Sequence, residues 1–261
     1  MTVADLLTRW ELAPPLATLV AAGAAYAIGV RRASRWPARR SVCFGAGLAV
    51  LAVALLSGVD VWADRLQSVH MVQHTLLLLV APPLLCAGAP VSLALRTLRS
   101  RRRLAAALRR LPVHPAVGFV ALAGAMLAVH LTALYEARGA LHDAEHVALV
   151  CAGLLFWAPL VGADPLRHRA GAGGRIAATL AAMAPMGALS AVLLTAPPRS
   201  AQYAASAAAA GVDPAADQRA AAVVMWIGGG FVITIAVLAL AGAALWREEA
   251  RMRRREAVGA R

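Results

Sequence analysis

The sequence predicts an all-α fold: a polytopic membrane bundle of seven transmembrane helices, N-terminus out and C-terminus in. Three observations predict it. Of 261 residues, 61% are hydrophobic and only 15% charged, whereas a soluble domain has about half and about a quarter. The apolar residues gather in stretches close to the roughly 20 residues that cross a hydrocarbon core. All 26 basic residues are Arg, and they fall in short runs between those stretches. In a soluble chain a formal charge of +13 would suggest nucleic acid. Here the runs orient the chain and touch anionic lipid, and no nucleic-acid partner is expected.

The predicted spans are 12–30, 41–59, 68–95, 115–135, 141–162, 176–197 and 221–246. Residues 1–246 then form a single domain, and 247–261 a basic cytoplasmic tail. Asp5 and Glu11 outweigh Arg9. A cleaved signal needs a positive start, so the first span is retained. The third is too long for one crossing and carries Pro82, Pro83 and Pro90. Each proline removes a backbone donor, so this span is kinked or continues as an irregular extension. Pro185 kinks the sixth span. The Ala-rich stretch 201–222 is the longest external segment and is read as a short surface helix.

Orientation follows from the arginines. The loops 31–40, 96–113 and 163–175 and the tail hold five, seven, three and six, whereas Arg9, Arg65, Arg138, Arg199 and Arg219 stand singly in the alternate segments. That 21-to-5 asymmetry puts the rich loops inside. Tryptophans agree as two interfacial belts, with Trp10, Trp62 and Trp226 outer and Trp36, Trp157 and Trp246 inner. Cys43, Cys86 and Cys151 form neither a CxxC pair nor a disulfide framework and read as small buried hydrophobes.

Five of seven histidines fall near the outer boundary. His70 and His74 open span 3, His130 closes span 4, and His142 and His146 open span 5. His114 and His168 lie in or beside the inner loops. Both pairs are spaced i,i+4, which places two imidazoles on one helix face. HxxxH on a helix gives one metal two nitrogen ligands. Imidazole suits Zn, Cu, Fe and Ni, and the Irving–Williams order favours copper. Asp60, Asp64, Asp143 and Glu145 are carboxylates placed to orient the imidazoles, and Met71 and Met225 are soft donors at similar depth.

Other readings of the same residues stand beside this one. Histidines serve as interhelical hydrogen-bond partners in membranes, and facing imidazoles can hold haem in a bis-His redox protein. A transporter would need polar residues through the full membrane depth, yet the inner halves of the spans are almost wholly apolar. No nucleophile–base pair or phosphate-binding loop is present, so no enzyme is expected. Gly228-Gly229-Gly230 lies inside span 7 and reads as close helix packing.

The motif His70-Met71-Val72-Gln73-His74, followed by Ala81-Pro82-Pro83-Leu84-Leu85 and Gly88-Ala89-Pro90, resembles the signature of the CtaG family of caa3-type cytochrome c oxidase assembly factors. His130 with Tyr135, then His142-Asp143-Ala144-Glu145-His146, match further blocks in order, as does the run from Gly153 through Trp157-Ala158-Pro159-Leu160. Asp217-Gln218 and Met225-Trp226 resemble the last block. Thr132, Ala158 and Ala222 depart from the usual Pro, Trp and Gly, and none of these departures removes a histidine. The resemblance implies a seven-helix protein of the bacterial plasma membrane that helps an aa3/caa3-type oxidase acquire copper. The oxidase subunits are then its partners, and the third-helix motif is either a copper ligand set or a docking surface.

Overall fold

The structure is a computed structural model and describes residues 10–11, 13–110, 113–131, 139–166 and 170–259. Prolines and short polar residues set most of its helix ends. Pro15 begins α1 (Pro15–Arg32), which closes on Arg31 and Arg32 where cations complement the helix dipole. Helix α2 (Ala38–Leu56) stops at Ser57, whose hydroxyl accepts the Val59 N–H at 3.2 Å and starts the short α3 (Gly58–Ala63).

The third apolar stretch runs from Gln67 to Thr97 in four pieces: α4 (Gln67–Thr75), a π-helical turn (Leu76–Val80), α5 (Ala81–Ala87) and α6 (Pro90–Thr97). Pro82 has no N–H for the Leu78 carbonyl, and that carbonyl instead accepts from the Trp157 indole at 3.3 Å. At the far end Ala89, which precedes Pro90, leaves the right-handed helical region for φ 52°. Asp164 then caps α6, accepting from the backbone N–H of Ser92 at 2.6 Å and of Val91 at 3.3 Å. The predicted disturbance of this span therefore has two forms, a widened turn before the prolines and a break after them.

Helices α7 (Arg101–Arg110), α8 (Pro115–Leu131) and α9 (Ala140–Val161) follow. The predicted kink at Pro185 is a break at Ala182, between α10 (Ala172–Ala181) and α11 (Met183–Thr195). Then come α12 (Ala201–Ala209), α13 (Pro214–Val223), a second π-helical turn (Val224–Gly228) and α14 (Gly229–Gly259), which carries the helix into the basic tail. Among the described residues, helices lie in all seven expected stretches, and five are long and apolar enough to cross a membrane. Of the other two, α8 is described over 17 residues, and α1 ends on its two arginines. Arg9, Asp5, Thr132, Tyr135, Arg138 and His168 lie outside the described residues.

Helix α9 packs against α8 and against the π turn and α5. The approach is close enough that a Cβ on Gly153 would fall 2.6 Å from Pro82 and 2.7 Å from the Leu78 carbonyl. Small residues at such crossings replace the hydrophobic drive that lipid does not supply. Leu77, Leu122, Leu149, Phe156 and Leu160 fill the shared core. Three expectations change here. Trp157 is 1% exposed and belongs to this core, not to an interfacial belt, because its N–H is spent on the carbonyl that Pro82 leaves open. Cys151 is exposed on the outer surface of the bundle rather than buried. The 201–222 segment is helical as expected, but it is not simply a surface helix, since it buries Tyr203 and Ala207 against the histidine end.

Candidate metal centre

The histidine end of α4 is fixed from a distance of 150 residues in sequence. Asp217, on α13, accepts the Gln67 N–H at 2.7 Å and the N–H and hydroxyl of Ser68 at 3.2 and 2.5 Å. These are the orphan donors at the start of a helix. One turn on, His70 and His74 share a face, their ring centroids 3.9 Å apart. On α9, His142 and His146 lie 4.2 Å apart by the same measure. The α4 and α9 pairs meet: His70 stacks on His142 at 5.4 Å, and His74 stands edge-on to His146 at 6.0 Å. His130, at the end of α8, is edge-on to His74 at 5.4 Å. All five rings are buried.

Glu145 completes the group. Its carboxylate lies 3.3 Å from His74 Nε2 and 3.5 Å from His142 Nδ1, bridging α9 to α4. Ligand atoms of His70, His74 and Glu145 all fall within 4.8 Å of one another. Neither contact is aligned as a hydrogen bond: among the described residues, no hydrogen bond reaches the Glu145 oxygens, either nitrogen of His74, or His146 Nε2. A buried carboxylate is costly unless a proton or a cation compensates it. This donor set therefore fits a metal ion, which would be held by His70, His74 and Glu145 with His142 and His146 alongside. Tyr203 lines the group from α12: its hydroxyl lies 2.9 Å from His70 Nδ1 and 3.1 Å from the Ala63 carbonyl. With the hydroxyl donated to Ala63, His70 Nδ1–H donates to Tyr203 and Nε2 carries the lone pair.

The other residues singled out from the sequence take different places. Asp60 accepts from the Gln73 side-chain amide at 2.7 Å and so engages an α4 glutamine rather than an imidazole. Burial raises its carboxyl above the ordinary range, and Gln73 partly offsets this. Asp64 and Asp143 are exposed. Met71 and Met225 are buried beside His74 and His130. His114 is exposed and accepts the Ala116 N–H at 3.1 Å, so it caps the opposite end of α8. By helical rise it is about 24 Å from His130.

Three residues with roles here were not visible as such in the sequence. Asp217 and Gln218 stood out only as a motif. Their work is to hold α4 and, through Gln218, the Leu193 carbonyl in the last turn of α11 and the Ala196 and Pro197 carbonyls just after it. Nothing in the sequence marks Tyr203. Met126 had a usable signal, because it precedes His130 by four residues and shares its helix face.

Among known proteins, the model of the cytochrome c oxidase caa3 assembly factor family matches residues 24–247. An uncharacterized protein of Mycobacterium bovis is 31% identical over 206 residues, covering 70% of this chain and 31% of that protein. One from Mycobacterium tuberculosis matches to the same extent. A third, from Mycobacterium leprae, is 32% identical over 171 residues, 57% of this chain and 26% of that protein. The chain thus spans less than a third of the length of the curated relatives it matches. No solved structure matches it. With the family match running from within α1 to the start of the basic tail, over every histidine of the cluster, the chain belongs to the cytochrome c oxidase caa3 assembly factor family.

Proposed function

We propose that this protein is a non-enzymatic, multi-pass plasma-membrane factor that carries copper transiently to an aa3/caa3-type cytochrome c oxidase. Copper is cargo, held by imidazoles of His70, His74, His142 and His146 with Glu145, and with His130 at the edge of the group. The observation that carries the reading is a cluster of buried imidazoles from three helices beside one buried carboxylate, Glu145, which lies against His74 and His142 and receives no hydrogen bond among the described residues. Neutral nitrogen donors with one negative oxygen bind copper, and they release it more readily than thiolates do. Seven spans with the N-terminus outside would put this cluster at the outer face, where an incoming subunit can reach it. The 21-to-5 arginine asymmetry supports that orientation.

The haem reading fits less well. A bis-His haem needs a flat slot between two imidazoles, whereas these rings pack on one another at centroid distances of 3.9–6.0 Å. Metal analysis and a visible spectrum of the purified full chain, beside a His70→Ala/His74→Ala variant, test both. Copper retained by the wild type and lost by the variant, with no Soret band, is the expected result. A Soret band, or wild-type protein without metal after copper loading, overturns it. In cells, deletion should lower oxidase activity and its copper content under copper limitation; unchanged values would remove the assembly role.

A further inference from the structure

Four thioethers converge just beyond the histidines. Of the chain's seven methionines, Met71, Met126, Met186 and Met225 line one cavity together with His74 and His130. They come from four different elements, α4, α8, α11 and the second π turn, and are 1–5% exposed. The cavity, about 20 Å³, has room for one ion or one water. It lies about one turn past the imidazoles: Met126 precedes His130 by four residues, and Leu149, also in its wall, follows His146 by three.

The chemistry of its wall is specific. His130 Nδ1 lies 2.6 Å from the Met126 carbonyl. A carbonyl only accepts, so Nδ1 carries the proton and Nε2 the lone pair. That lone pair faces Met71 Sδ at 3.2 Å. Two lone-pair donors therefore point at each other with no proton between them. A nitrogen at about 2.0–2.1 Å and a sulfur at about 2.3 Å from one ion can stand at this separation.

The backbone is shaped to the same place. Leu78 and Leu79 of the first π turn and Met225 of the second all border the cavity. Such turns are rare and concentrate at functional sites. Gly229 makes the room for Met186, because a Cβ there would collide with that thioether's methyl.

We propose that this cavity is a second metal position, selective for a soft monovalent cation, Cu(I) by chemistry, next to the histidine cluster. Thioethers select Cu(I) over Zn(II). Neutral donors around a single positive charge also cost less to bury among apolar helices than a divalent ion does. The inference rests on the preceding reading for copper as cargo, and on the thioethers for its donors.

The test uses Ag(I), a redox-inert soft monovalent probe, and Zn(II), both titrated in detergent into the full chain with Cys43, Cys86 and Cys151 replaced by Ala. The free thiols, Cys151 exposed among them, would otherwise take up Ag(I). The variant is Met186→Leu/Met225→Leu, a shape-conserving change. Ag(I) affinity should fall by about tenfold or more in the variant while Zn(II) binding at the histidines is unchanged. Unchanged Ag(I) affinity, or equal loss of both metals, overturns the proposal. If the variant misfolds, X-ray absorption of the Cu(I)-loaded cysteine-free chain decides. Sulfur neighbours are expected, and a shell of nitrogen and oxygen alone overturns the site. Failure of the histidine reading looks different, since the cysteine-free chain would then hold Ag(I) but no Zn(II) or Cu(II).

Discussion

Asp217 grips Ser68 twice, through its backbone N–H at 3.2 Å and its hydroxyl at 2.5 Å, and so ties α13 to the start of the histidine helix. The histidines inherit their position from this pair. His70 is two residues past Ser68, so any slackening of the cap moves the imidazoles on α4 relative to those on α9.

Replacing Asp217 with Ala should destabilise the protein by about 2 kcal/mol, the scale for losing a charged cap with several donors. It should also weaken metal binding although it removes no ligand. Thermal unfolding in detergent and metal titration on the same samples check this. A variant with wild-type stability would show that the contact is idle.

Histidine replacement should divide by position. His74→Ala or His146→Ala should reduce bound metal by more than His114→Ala, which removes only a helix cap at the opposite end of α8. Bound metal should also fall as pH is lowered, because protons compete for the imidazole lone pair. Equal metal content in the His74 and His114 variants would return these histidines to a structural role.

Asp60 gives a pH dependence of stability with a definite sign. Burial raises its carboxyl in the folded chain, so the fold favours the protonated form. This contribution is fully present below the unfolded carboxylate value, about 3.9. It is lost as pH rises through the higher folded value. Asp60→Asn keeps an acceptor for Gln73 and removes the charge. Its unfolding midpoint should therefore be less pH-dependent across that window than the wild type's. Parallel curves for the two proteins would contradict the assignment.

Reporter fusions should find residue 105 and the C-terminus in the cytoplasm and residue 210 outside. The Arg101–Arg103 run supports the first and the Tyr203-bearing cover over the histidines the second. An outside-active reporter at residue 105 would invert the bundle and move the cluster to the inner face.

Sequence by itself determined the class and the local geometry of this protein. Hydropathy and arginine spacing mark the apolar helices because lipid forces every backbone polar group to be satisfied within a helix. The i,i+4 spacing fixes two imidazoles on one face of α4 and two on one face of α9, since helical periodicity is local. The prolines forecast where the third and sixth stretches bend. Tertiary structure alone decided what those faces meet. It brought Glu145 between His74 and His142, gave Trp157 to the carbonyl that Pro82 leaves open, and set Asp217 at the start of α4. It also gathered methionines from four elements around one cavity. None of these pairings has a sequence period, because each depends on how separate helices cross. Such crossings are set by small residues and side-chain shape along whole interfaces, not by any local spacing.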